Sequence, residues 1–226
     1  MSKHIIAATV CAMLLGSASA RADIIDGSFS GTLYSGNDTT GVFGPPASDL
    51  TNDAITGTFV YDTSLFSQSI SGSQNTATGT ALGALTVTIT INGFSHTFTD
   101  NSSSSIFLDD SADEVTLQNS NVSGSANENF YLDASDLLTP FINTTDLTQP
   151  FSTSDAFLNS TGTFFIDDLA PNVAAGGAFT ITTISTTNST TSAVPEPASL
   201  TLLALGFAGI AAGRGRGLRR SSKQRV

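Results

Sequence analysis

Four carboxylates fall within six residues in Asp109-Asp110-Ser111-Ala112-Asp113-Glu114, and a second pair, Asp167-Asp168, stands at the end of an apolar run. Ca²⁺ takes six to eight oxygen ligands and draws many of them from acidic loops. Asp109, Asp110, Asp113 and Glu114 are therefore the candidate metal ligands, and Ca²⁺ is the one cofactor the sequence suggests. The spacing follows no EF-hand pattern, and the competing reading is a solvated acidic turn.

Other chemistry is harder to assemble. Beyond His4 the only histidine is His96, so neither a histidine-rich zinc site nor a His-Glu-x-x-His motif can be built. Ser95 precedes His96, but neighbouring strand residues point to opposite faces, so the histidine cannot activate it. Glycosidases use two acids roughly 5 to 9 Å apart, which Asp110, Glu114, Glu128 and Asp168 could in principle provide. A sugar platform would need aromatics, yet the chain has no Trp and only Tyr34, Tyr61 and Tyr131. These residues point to a non-catalytic protein.

Charge narrows the partners. Residues 22–194 hold eighteen of the nineteen acids and no Lys or Arg, which gives this span a net charge of −18. Such a domain repels phosphate backbones, and nucleic acid is excluded as a partner. Acidity of this kind also keeps a secreted domain soluble.

The elements that carry these residues read as an all-β fold. Residues 27–34 and 55–61 have strand character, and residues 36–53, with Pro45-Pro46, read as a long loop between them. Residues 67–79 read as a flexible polar loop. The sharpest local signal is Leu85-Thr86-Val87-Thr88-Ile89-Thr90-Ile91, Asn92-Gly93, Phe94-Ser95-His96-Thr97-Phe98-Thr99. Asn-Gly favours a two-residue type I′ turn, which pairs Ile91 with Phe94, Ile89 with His96 and Val87 with Phe98. Threonines then share the opposite face, and His96 is the one polar residue on the apolar side.

Further strands are expected around residues 106–108, 115–117, 130–132, 162–166 and 178–184, and residues 133–160 are ambiguous. In that ambiguous stretch, Ser135-Asp136-Leu137 and Ser154-Asp155-Ala156 could each cap one helical turn. Gly-Ser/Thr-Phe recurs at Gly27, Gly57 and Gly162, read as strand starts at which Gly opens a turn and Phe points inward. About eight short strands joined by polar loops predict an antiparallel β-sandwich over residues 23–184, with a jelly roll as one form of it. A β-helix would need a regular rung period, and none is found.

The two ends are of another kind. Lys3, the apolar residues 5–15 and Ala18-Ser19-Ala20 have the layout of a secretory signal peptide spanning residues 1–22, with Ala20 or Ala22 at the cleavage point. Signal peptidase is the implied partner. Cys11 lies inside the apolar run rather than at its end, which argues against a lipoprotein, and the mature chain then has no cysteine to form disulfides. After residue 184 comes a Ser/Thr-rich linker over residues 185–193. Pro195-Glu196-Pro197 follows, presented on an extended backbone because both prolines lack an N–H and hold φ near −65°. Residues 198–213 carry no charge and would make a helix of roughly 24 Å, enough to enter a bilayer of ~30 Å with some local thinning. Arg214, Arg216, Arg219 and Arg220 would hold the far side in the cytoplasm, with residues 221–226 as a cytoplasmic tail.

Pro-Glu-Pro, an apolar helix and an arginine cluster in that order resemble the PEP-CTERM sorting signal of bacteria, over residues 194–220. The resemblance implies a precursor held transiently in the inner membrane and an exosortase that cuts near the motif and passes the protein to the cell surface. It makes Pro195, Glu196 and Pro197 the recognition element and the four arginines the membrane stop. Glycines interspersed among the arginines and the trailing hexapeptide depart from the usual pattern. The expected function is thus an exported, non-catalytic surface or extracellular-matrix protein that contacts exopolysaccharide. The alternative is a carbohydrate-binding or ice-binding module, for which the rows Thr86-Thr88-Thr90 and Thr180-Thr182 would offer a hydroxyl face.

Overall fold

The computed structural model describes residues 23–79, 81–99, 103–123, 126–136, 139–154, 159–167 and 173–189. They form thirteen strands: β1 (Ile24–Asp38), β2 (Ser48–Asp49), β3 (Ala54–Asp62), β4 (Phe66–Ser71), β5 (Gln74–Gly79), β6 (Leu85–Ile91) and β7 (Phe94–Thr99), then β8 (Ser103–Asp109), β9 (Glu114–Ser123), β10 (Ala126–Ser135), β11 (Ser152–Thr153), β12 (Asn159–Asp167) and β13 (Val173–Ser189). All pairings are antiparallel, and among the described residues the only helix is one 3₁₀ turn, Thr63–Leu65. The strands follow the order β4-β5-β8-β9-β10-β12-β13-β1-β3-β6-β7, with β2 and β11 attached at the side.

The fold is therefore all-β, as the composition predicts, but the expected pair of stacked sheets is replaced by one curled sheet. Long strands β1 and β13 join its two halves by a ladder running from Ile24↔Ser189 to Asp38↔Ala175. Register shifts between Ser30 and Gly31 and between Leu33 and Ser35 bend that ladder without breaking it, since a bulge adds twist locally. Curling brings β7 back against β9 and β10. The Asn119 Nδ2–H of β9 donates to the Leu85 carbonyl of β6 at 2.7 Å, tying the returning layer down.

Phenylalanines fill the space enclosed. Phe29 of β1 stacks on Phe179 of β13 at 5.8 Å and meets Phe130 of β10 at 5.7 Å, and Phe130 in turn meets Phe98 of β7 at 5.7 Å. All four rings are buried, and burying each side chain contributes about 1.5–3 kcal/mol.

The Asn92-Gly93 hairpin has the predicted register throughout, Ile91↔Phe94, Ile89↔His96 and Val87↔Phe98, with φ of +55° and +83° at its two turn residues. Three expectations change. Residues 67–79 are not a loop, because β4 and β5 pair without a slip from Phe66↔Gly79 to Ser71↔Gln74. Gly27, Gly57 and Gly162 do not open turns but sit in mid-strand, each opposite a phenylalanine whose ring occupies the space a side chain would need: Gly27↔Phe59, Phe29↔Gly57 and Gly162↔Phe179. The linker expected at residues 185–193 is strand through Ser189, where it pairs with residues 24–28 of β1.

Residue Leu137 and residues 155–156, on which the two helical turns depended, lie outside the described residues, as do residues 1–22 and 190–226 with the expected signal peptide, membrane helix and tail. Among the described residues no helix is long and apolar enough to cross a membrane.

Candidate functional site

The acidic run occupies the tight connection from β8 to β9, where Asp109 and Glu114 are cross-strand partners and Asp113 turns away from them. Asp109 Oδ1 accepts from the Ser111 N–H at 2.9 Å, the Ser111 hydroxyl at 2.7 Å and the Ala112 N–H at 3.2 Å, while Oδ2 accepts from Gln74 Nε2 at 2.8 Å. Gln74 first, and Ser111 next, hold this carboxyl well below the usual carboxylate range. Asp113 takes a left-handed φ of +52°. It aims its side chain the other way, accepting the Phe141 N–H at 2.8 Å and the Ile142 N–H at 2.5 Å.

Burial, reinforced by the Asp136 carboxylate, outweighs those bonds and pushes the Asp113 carboxyl up. Glu114 lies on the outer face of β9 beside Asp133, and burial first and Asp133 second raise its carboxyl too. Asp110 is exposed. Among the described residues no group of three or more His, Cys, Asp or Glu side chains is placed to hold a metal ion, so the four candidate ligands are not gathered into one site. Asp109 caps the hairpin turn, and Asp113 fastens residues 141–142 to it. Asp168 lies outside the described residues.

Nor are the glutamates brought together. Glu114 faces Ser135 and Glu128 faces Asn121, seven steps apart along the β9–β10 ladder, or roughly 23 Å at ~3.3 Å per residue. His96 sits where the hairpin register puts it, at the rim of the core. Its Nε2 lies 3.3 Å from Glu128 Oε1, within ion-pair distance but outside hydrogen-bond geometry. Its ring meets Phe98 edge-on at 4.9 Å. Ser95 points the opposite way and bonds Thr90 at 2.7 Å.

A depression of about 450 Å³ beside Gly36, Thr39 and Ser48 also borders Asp38. The Asp38 carboxylate is already committed to the N–H groups of Gly41, Val42 and Phe43 at 2.6–2.8 Å.

The outer face of the β7-β6-β3-β1-β13 half is different in kind. Register lines up Thr97, Thr88, Thr58, Ser28 and Ser185 in one row across five strands, and Ser95, Thr90, Thr56, Ser30 and Thr183 in the next. Strands lie ~4.8 Å apart and alternate residues ~6.7 Å along each strand, so these hydroxyls form an uncharged grid. Some bond each other, with Thr88–Thr97 at 2.9 Å, Ser28–Ser185 at 3.2 Å and Ser30–Thr183 at 2.7 Å. The expected Thr86-Thr88-Thr90 row belongs to this face. The Thr180-Thr182 row reaches the same face through a register shift: Thr180 is opposite Thr32, Thr182 is opposite no residue of β1 but bonds the Ser30 hydroxyl at 3.1 Å, and Thr183 is opposite Ser30.

That face ends where β13 ends, with Ser189 beside Ile24, and the chain continues into the segment with Pro195, the apolar run and the arginines. Residues 193–220 match the PEP-CTERM protein-sorting motif. The chain thus carries the PEP-CTERM signal that Pro195, Glu196, Pro197 and the four arginines suggested, with all seven residues inside the matched span. The PEP-CTERM signal implies export, membrane-associated sorting and processing by an exosortase. No curated protein and no solved structure matches the chain.

Residues that the sequence did not single out are those that secure the acidic turn: Gln74, which donates a hydrogen bond to Asp109 Oδ2, and Phe141 and Ile142, whose N–H groups Asp113 clasps. Gly72-Ser73, a two-residue loop with Gly72 at φ +61°, is the local signal that would have placed Gln74 on a strand beside the turn.

Proposed function

We propose that the chain is a non-catalytic structural component of the cell surface or extracellular matrix, delivered there when an exosortase cuts near Pro195-Glu196-Pro197. The single observation that carries this is the match of residues 193–220 to the PEP-CTERM motif, which begins four residues after the last strand of the β domain. Support comes also from the use of the acids described above: Asp38, Asp109 and Asp113 hold loops in place rather than converging on a cleft. Deleting residues 195–197 should leave a membrane-retained precursor, and mass spectrometry of the wild-type protein from its host should find a new C-terminus near the motif. Unchanged processing of the deletion variant would overturn the sorting role.

A second reading, a carbohydrate-binding module with exopolysaccharide as ligand, is favoured by the hydroxyl grid. Its two rows carry no charged residue of their own, and the nearest acid on that face is Asp26, one row further along β1. Glycan-array binding lost on replacing Thr56, Thr58, Thr88 and Thr90 by valine supports it, and thermal hysteresis lost in the same variant identifies ice instead. Neither signal from the wild-type protein removes the module reading and leaves the structural one.

A further inference from the structure

Residues 63–99 contain no Asp, Glu, Lys or Arg, although the acids are spread over the rest of the domain. This neutral span supplies β4, β5, β6 and β7, and the fold sends its two hairpins to opposite ends of the ladder, so both terminal strands, β4 and β7, are neutral. Natural proteins usually guard such ends with charges, prolines or bulges. β4, Phe66-Ser67-Gln68-Ser69-Ile70-Ser71, has none of these, and its pairing with β5 has no irregularity.

The two ends differ in cover. β7 returns against β9 and β10, whereas β4 overhangs the core. Phe66, Gln68 and Ile70 share the core-side face with Gly79, Ala77 and Asn75 of β5, yet only Phe66 is buried, and Ile70 is 64% exposed.

We propose that β4 is a self-association edge and that its occupant is β4 of a second copy of this chain, paired antiparallel about a two-fold axis. Period-2 alternation restricts the register, because core-side residues must oppose core-side residues. Within that restriction, centres at Gln68 and at Ser69 align equally many residues, and the Gln68 centre is the one that keeps Phe66 in the pair: Phe66 opposes the second copy's Ile70, Gln68 opposes Gln68, and Ser67 opposes Ser69. This register covers the exposed Ile70 with an aromatic ring and satisfies the free backbone groups of the edge. Neutrality of the span matters here, since two domains of net charge −18 approach each other only through a surface without acids of its own. An isologous contact of this kind closes on itself and gives a dimer rather than a fibre.

The test uses the full chain with Cys11→Ser, which leaves it without cysteine. Residues directly opposed in an antiparallel pair have Cα atoms ~4.5–5.5 Å apart, inside the range that a disulfide spans. Gln68→Cys should therefore oxidise to a covalent dimer on a non-reducing gel, while Thr76→Cys on the exposed face of β5 stays monomeric. Adding Ile70→Lys to Gln68→Cys should abolish the dimer band and leave the circular-dichroism melting curve unchanged, as expected for a side chain that touches solvent. No dimer from Gln68→Cys beyond the Thr76→Cys background would overturn the proposal, and so would a dimer that survives Ile70→Lys.

Discussion

Gly27 on β1 and Phe59 on β3 are cross-strand partners, and a Cβ on Gly27 would stand 2.1 Å from the end of the Phe59 ring. The relation is reciprocal, since Gly57 lies under Phe29 with a corresponding distance of 2.2 Å. It recurs between β12 and β13, where Gly162 opposes Phe179 and Phe164 opposes Gly177. Two Gly-x-Phe segments running antiparallel thus seat each other's rings, a use of strand glycine in which a ring replaces the missing side chain.

Gly27→Ala must push the Phe59 ring from its seat, and overpacking of this kind costs about 1–3 kcal/mol. Urea denaturation should show that loss in Gly27→Ala, Gly57→Ala and Gly162→Ala alike. Combining Gly27→Ala with Phe59→Leu should cost less than the sum of the single changes, because the pair is in contact. Strict additivity would mean that the ring has another place to go.

Acidification should stabilise the domain before it harms it. Burial raises the carboxyls of Asp113, Glu114 and Asp133 above their unfolded values of 3.8, 4.5 and 3.8. For an acid shifted up, the folded state keeps a proton that the unfolded state has lost, so stability is greatest below the unfolded value and falls as pH rises through the folded one. The melting temperature should therefore rise as pH is lowered from neutrality toward the unfolded value of 4.5. Glu114→Gln with Asp133→Asn should flatten that rise; a wild-type melting temperature that falls steadily over the same interval contradicts it.

Tyr61 gives a prediction at the other end of the pH scale. Its hydroxyl donates to the Leu147 carbonyl at 2.7 Å, and burial, aided by the Asp146 carboxylate, raises the phenol far above its ordinary 10.0. Tyr61→Phe leaves that carbonyl without its partner and should cost about 1–3 kcal/mol. Because the unfolded phenol ionises first, wild-type stability should decline above about pH 10, and the variant should lack that part of the decline.

Truncation measures the strand that replaced the expected linker. A chain ending at Ile184 loses the pairing of residues 185–189 with residues 24–28. With each lost ladder bond contributing about 0.5–1.5 kcal/mol, unfolding should become easier by several such bonds. Amide exchange in residues 24–28 should quicken, whereas a chain ending at Ser189 should match the full-length β domain in both respects.

What could be read from the sequence depended on whether the determinants were local. The Asn92-Gly93 hairpin was legible down to single partners, because turn type and side-chain alternation agree over a dozen neighbouring residues. β4 was illegible for the opposite reason. Its core-side positions hold Gln68 and Ile70 beyond the edge of the core, so polar residues stand on both faces and no alternation survives. The single curled sheet rests on pairings such as Ile24↔Ser189, which no window of sequence contains. The acidic turn was found as a place but not as a purpose, since the partners of Asp113 lie 28 and 29 residues away.

The position of β13 has a consequence for how the domain comes into being. The last strand of the domain to leave the ribosome lies between β12 and β1, in the interior of the ladder rather than at its margin. Until it arrives, β1 lacks its longest partner and the two halves of the sheet lack the ladder that joins their edges. Closure therefore waits for nearly the whole domain to be present, and such long-range pairing is slow. The arrangement makes the fold a length gauge: a nascent or broken chain that stops short of β13 lacks the strand that joins the two halves, and only a chain read well into β13 closes the ladder.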